Sequence, residues 1–237
     1  MPCATSWSPS GGGRLSAPAP RADGVADPDE TVDVRSAFLA VAGTAREIVA
    51  LTVVALHWKE PSALPEMTVG ALVAHLARAV TNVERSLEAA EPAGEEPISG
   101  ATYFAPVSSD LASGINVRVR ATSAEEALVG HRAVVGQMDR ALERLRARLE
   151  GEPEGRLVKA RDEVLRLDDY LRTRIIELAV HTDDLCVSIG RETPPLPGVA
   201  VAIEALVEVA ILRHGELAVL RALARRERDP DQVLRVI

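Results

Sequence analysis

Aromatic residues make up only 3% of this 237-residue chain, two each of Phe, Trp and Tyr. A β-sandwich core draws heavily on aromatic and β-branched side chains, so the 47% of hydrophobic residues, chiefly Ala, Val, Leu and Ile, point to closely packed helices and an all-α fold. Cysteine is almost missing. Cys3 lies in a stretch rich in Gly, Ser, Pro and Ala, and Cys186 lies in a predicted helix; a disulfide framework is excluded, and a reducing compartment suits the chain. An excess of positive charge is lacking too. With a formal charge of -8 and a pI near 5.2, the surface has the wrong sign to gain affinity by displacing counterions from phosphates, so nucleic acid is not an expected partner. No run approaches the roughly 20 apolar residues of a membrane span, and the first residues, "MPCATSWSPSGGGRLSAPAPRADG", lack the apolar centre of a signal peptide. The expectation is a cytoplasmic protein with no membrane partner. Finally, the sequence has no Gly-rich phosphate loop, no G-x-S-x-G elbow and no Cys/His nucleophile arrangement.

What the chain has is helical periodicity. Residues 1–30 carry few large apolar side chains and are expected to form a disordered tail; the fold is expected over residues 31–226, with a C-terminal tail at 227–237. Val34, Phe38, Val41, Ala45, Ile48 and Leu51 recur at steps of three and four and predict a first helix reaching about His57. Thr68 is placed to cap a second helix, whose apolar arc is Val69, Leu72, Val73, Leu76, Val80, Val83 and Leu87. Residues 91–121, rich in Pro, Gly and Ser, read as a long loop with room for short helical or extended pieces, a candidate lid. Ser123 and Glu126 form a capping-box pattern that would open a third helix running to about Glu150, with a seam of Leu128, His131, Val135, Met138, Leu142, Leu145 and Leu149. After a turn and weakly extended residues, Asp168 would cap a fourth helix ending near Gly190. A fifth helical region is expected from Val199 to about Arg226, with a break at Gly215. Four or five long helices joined by unequal connections describe a bundle.

The chemistry is concentrated on the fourth helix. At 100° per residue, Tyr170, Arg174, Glu177, His181, Asp184 and Ser188 form one polar strip, flanked by Leu171, Leu178, Leu185 and Ile189 on one side and Ile176, Val180 and Val187 on the other. Glu177 and His181, one turn apart, read equally as a solvent-facing pair or as two metal ligands converging on a point. A catalytic zinc site uses three protein ligands and leaves a position open, so a third ligand would have to come from another helix. His75 sits at the edge of the second helix's apolar arc among the small neighbours Ala71 and Ala79; it reads as a boundary residue or as that ligand. His131, central in the third helix's seam, reads as a hydrogen-bonded core histidine, a pocket wall or an alternative ligand. His57 and His214 carry no comparable signal. Cys186 projects about 140° from His181 and reads as a packing residue.

Three segments together carry a resemblance. "HWKEPSALPEMTVGALVAHLAR" (residues 57–78), "PISGATYF" (97–104) and "LDDYLRTRIIELAVHTDDL" (167–185) resemble the mycothiol-dependent maleylpyruvate isomerase family, metal-binding N-terminal domain type, in the DinB-like superfamily. The resemblance covers roughly residues 31–226 and implies a four-helix bundle, here with an additional C-terminal helical segment. It implies a divalent metal, usually zinc, held by His75, Glu177 and His181, with mycothiol as the thiol cosubstrate. A metal-bound thiolate would then act on a small electrophilic substrate in isomerisation or S-transfer. Asp184 matches the family pattern as a residue that orients His181 or closes the pocket, and Arg174 is placed to steady a carboxylate on the substrate or to pair with Glu177. The family's isomerase resembles this bundle followed by a sterol-carrier-like domain, whereas residues after Gly190 read as helices, so maleylpyruvate itself is not the expected substrate.

Two other readings fit the same residues. A DinB-like hydrolase would use the metal to activate water in place of a thiol. A non-catalytic bundle would bind a small molecule or a partner helix. As monomer or homodimer, the chain is equally compatible with either.

Overall fold

A computed structural model describes residues 33–107, 110–229 and 233–236; the expected N-terminal tail lies outside them. The described chain is all-α apart from one hairpin. Helices α1 (Val34–Val49), α2 (Thr52–Leu56), α3 (Val69–Glu88), α4 (Gly100–Phe104), α5 (Gly114–Glu126) and α6 (His131–Leu149) lead into strands β1 (Leu157–Ala160) and β2 (Glu163–Arg166), followed by α7 (Leu167–Ser188), α8 (Val199–His214) and α9 (Glu216–Ala224). The strands pair antiparallel, Leu157 opposite Arg166 and Ala160 opposite Glu163.

Four long helices make the bundle. α1 packs on α7 and α6, and α3 packs on α6 and α7, so each contacts two others around a shared interior. That interior is filled by fully buried Phe38 and Val41 from α1, Leu72 and Leu76 from α3, Met138 and Leu142 from α6, and Leu171, Ile175 and Leu178 from α7. Each such side chain contributes about 1.5–3 kcal/mol. α8 lies outside, against α7 and α4, while α5 lies across α3. Val233 and Val236, in the segment set apart as a tail, also join the core.

Local chemistry fixes the helix ends. The Asp33 carboxylate accepts from the Arg35 and Ser36 amides at the start of α1, and Thr68 Oγ1 accepts from the Ala71 amide at the start of α3, 3.1 Å away, as the sequence leads one to expect. Arg35 ties the start of α1 to the end of α6 and the start of α7. Its Nε donates to Asp168 Oδ1 at 2.9 Å, and its Nη atoms donate to the carbonyls of Leu149, Glu152 and Pro153. Gly70 is required because the Trp58 indole lies on it; an added Cβ would stand 2.7 Å from the ring.

Several boundaries differ from the sequence reading. The first helix breaks after Val49 and resumes as α2, and the expected loop of residues 91–121 contains α4 and most of α5. Ser123 does not open the third helix: it is buried inside α5, and α6 starts at His131 after Gly130, whose φ of 84° ends the preceding 3-10 turn. The predicted seam therefore fails at its start, with Leu128 84% exposed. Asp168 lies in the first turn of α7, where Arg166 holds the cap position. Its carboxylate is engaged by Arg35 instead.

Candidate metal centre

The polar strip of α7 faces inward. Leu171, Leu178, Leu185 and Ile189 on one flank and Ile176 on the other are buried, Val187 is 61% exposed, and the upper part of the strip follows them inward: Tyr170 is 2% and Arg174 8% exposed. α3 crosses opposite and supplies His75. His75 Nε2 lies 2.9 Å from Glu177 Oε2, and His181 Nε2 lies 3.3 Å from the same oxygen. The two imidazoles meet edge to face with centroids 4.7 Å apart. One ligand atom from each of the three residues falls within 4.8 Å of the others. Ligands around a tetrahedral ion at about 2.1 Å stand roughly 3.4 Å apart, so this N,N,O set needs only small movements to surround a divalent cation.

The proton arrangement follows from burial and partners. Burial opposes charge on Glu177, but hydrogen bonds from His181 and His75, joined by the charge of Arg174, hold its carboxyl well below the usual range. On His181 burial again opposes charge, and hydrogen bonds to Asp184 and Glu177 overcome it, pushing its pKa up to about 9. His75 goes the other way: burial outweighs its bond to Glu177, and the charges of His181 and Arg78 add to the depression. Without metal the cluster is thus a carboxylate, an imidazolium and a neutral imidazole.

Asp184 and Arg174 both lie beside the three. Asp184 Oδ2 accepts from His181 Nδ1–H at 2.8 Å, leaving Nε2 to face Glu177. Arg174 Nη2 is 3.8 Å from Glu177 Oε1, its Nε donates to Thr173 Oγ1 at 3.2 Å, and its guanidinium lies 5.0 Å over the Tyr170 ring. With so loose an ion pair, a buried guanidinium keeps donors to offer. Ser188, the last residue of the strip, accepts from the Ala63 amide.

Other residues weighed from the sequence lie elsewhere. His131 begins α6, donates from Nε2 to the Val49 carbonyl at 2.7 Å and meets the Trp58 ring edge-on, outside the cluster. His57 donates to its own helix at the Val53 carbonyl. His214 is exposed. Cys186 is fully buried. One residue had not been singled out: Arg78 Nη2 donates to His75 Nδ1 at 3.0 Å and to Ser123 Oγ at 2.9 Å, while Nη1 reaches Glu126 Oε2 at 3.1 Å. Its position three residues after His75 was the available signal.

Fold and site together define a class, a helical bundle in which two long helices present a His/Glu/His constellation suited to a divalent metal. Residues 38–186 match the family model of the mycothiol maleylpyruvate isomerase N-terminal domain, and the chain belongs to that family. Searches of curated proteins and of solved structures return no match. The matched span includes His75, Arg78, Arg174, Glu177, His181 and Asp184, and it ends before α8. No helix among the described residues is long and apolar enough to cross a membrane.

Proposed function

We propose that this chain is a zinc- and mycothiol-dependent transferase or isomerase of the cytoplasm, acting on a small electrophilic substrate. The observation that carries the reading is the convergence of His75, Glu177 and His181 from two helices within 4.8 Å, in a chain of a mycothiol-linked family. A bound divalent cation lowers the pKa of a coordinated thiol and supplies a thiolate at neutral pH. The protein does the rest. Asp184 fixes His181 with Nδ1–H turned away, so that Nε2 is aimed at the centre. Glu177 stays ionised and supplies the negative ligand. Arg174, buried and loosely paired, offers Nη donors to a substrate carboxylate beside the cluster. Side chains only about one-seventh exposed, 14% for His75 and Glu177 and 15% for His181, limit access by water and so protect a reactive electrophile from hydrolysis.

Elemental mass spectrometry on protein purified without chelator tests this first. About one equivalent of zinc is expected in the parent and none in His75→Ala or His181→Ala, both remaining helical by circular dichroism. Cobalt(II)-loaded protein should then develop a sulfur-to-metal charge-transfer band on addition of mycothiol. Metal without that band would sink the thiol reading, and no metal after reconstitution would sink the enzyme.

A further inference from the structure

We infer that Arg78 is a positioning residue that competes with the metal for His75: it holds the metal-free imidazole in the tautomer unable to coordinate through Nε2, and α5 retains it when a cation takes His75. The inference rests on His75, Glu177 and His181 being the ligands.

A guanidinium has only donors and keeps its charge at any pH of interest. With Arg78 Nη2 at 3.0 Å, Nδ1 of His75 must present its lone pair. The ring proton of a neutral imidazole then sits on Nε2, where it points at Glu177 Oε2, 2.9 Å away. Arg78, His75 and Glu177 form a closed relay of donors ending on a carboxylate. A cation at Nε2 needs the lone pair there and therefore the proton on Nδ1. That proton cannot face Arg78, because two N–H groups repel.

His181 provides the contrast within the same cluster. Its Nδ1 faces the Asp184 carboxylate at 2.8 Å, the kind of partner that metal-binding histidines ordinarily have. His75 faces a cation at the corresponding atom. The two ligands therefore meet the metal differently: loss of the Nε2 proton leaves His181 in the coordinating tautomer, whereas His75 must also give up the bond from Arg78.

Arg78 has somewhere to go. Its two other contacts, Ser123 Oγ at 2.9 Å and Glu126 Oε2 at 3.1 Å, both lie on α5. Ser123 gives its own proton to the Val119 carbonyl, so its oxygen is left to accept from Arg78. α5 buries only Ser123 of its 13 residues fully, so the bonds from Arg78 are among the contacts that seat it on α3. Arg120 pairs with Glu66, in the segment just before α3, at 3.0 Å. Metal at His75 and the seating of α5 are thus linked through one side chain, and the linkage is reciprocal.

The test uses the full chain. In chelator-treated protein, long-range ¹⁵N–¹H spectra of the imidazoles should give His75 the Nε2–H pattern in the parent and in Arg78→Lys, which keeps a donor. Arg78→Met should move it toward Nδ1–H. Competition with a chromophoric chelator should show Arg78→Met binding zinc about tenfold or more tighter than the parent, as expected for removal of a charge-assisted hydrogen bond that opposes binding. An Nδ1–H pattern in the metal-free parent overturns the inference. So does weaker zinc binding by Arg78→Met, which would make Arg78 a simple support for its ligand. Failure of the parent to bind zinc refutes the ligand assignment instead, and the tautomer spectra still decide whether Arg78 holds His75.

Discussion

Raising the pH of the metal-free protein should remove the stabilisation that His181 contributes. In the unfolded chain its pKa takes the ordinary value of 6.5, and in the folded cluster it stands at about 9 because the Asp184 and Glu177 hydrogen bonds outweigh burial. A pKa raised by folding means that the native state holds the proton more tightly. The stabilisation is therefore complete below about pH 6.5, declines as the pH climbs, and is lost beyond about 9. A difference of this size corresponds to about 3 kcal/mol, a large share of the ~5–15 kcal/mol that holds a typical domain together. Urea unfolding in the presence of chelator at pH 6, 7.5, 9 and 10, on the parent and on His181→Gln, measures it. Groups titrating in both proteins cancel in the difference between their stabilities. That difference should shrink by about 3 kcal/mol across the window, which for a urea slope of ~2 kcal/mol/M moves the parent's midpoint relative to the variant by about 1.5 M. Asp184→Asn, which removes one of the two carboxylates facing the ring, should retain only part of the slope. A parent-minus-variant difference that is flat from pH 6 to 10 would refute the reasoning.

Three further outcomes are expected. Asp184→Asn should weaken zinc binding about 10–100-fold in chelator competition, because an amide no longer fixes His181 and raises its basicity; an unchanged affinity would detach Asp184 from the site. Arg35→Ala, which deletes one ion pair and three bonds to carbonyls at the junction of α1, α6 and α7, should cost about 2–3 kcal/mol in urea unfolding, and a cost under about 0.5 kcal/mol would show the clamp to be replaceable by water. Gly70→Ala should cost about 1–3 kcal/mol, since its Cβ would meet the Trp58 indole at 2.7 Å, and should redden Trp58 fluorescence as the ring is displaced; wild-type stability would contradict the packing.

How far the sequence could be read depended on where each signal originates. α3 and α7 are legible because their apolar spacing, and for α3 its Thr68 cap, lie within the helix itself. Ser123 and Glu126 show the opposite. The pattern S-x-x-E marks a helix start only when the serine oxygen bonds the helix's own amides; here Ser123 is inside α5, bonded to the Val119 carbonyl and to Arg78. Nothing local distinguishes the two uses. Asp168 fails for a related reason, because Arg35, 133 residues away, engages its carboxylate. α4 and α5 were hidden by their composition, and α5 has almost no apolar face of its own to announce it.

The same distinction divides the site. His181, Asp184 and Glu177 belong to one helix, so their mutual distances follow from three- and four-residue spacing, and two apolar flanks already oblige the strip between them to turn inward once the helix is buried on both sides. His75 meets them only through the crossing of α3 over α7; on its own helix it stands at the edge of the apolar arc, and the family resemblance, not periodicity, selected it. Arg78 is the hardest case. Its contact with His75 is an ordinary three-residue spacing, available in the sequence, yet in isolation such an arginine would extend into water. It turns onto Nδ1 because α5 covers α3 and offers Ser123 and Glu126 as further acceptors, so the sign of its effect on the metal depends on a helix whose only buried anchor is the serine that Arg78 itself holds.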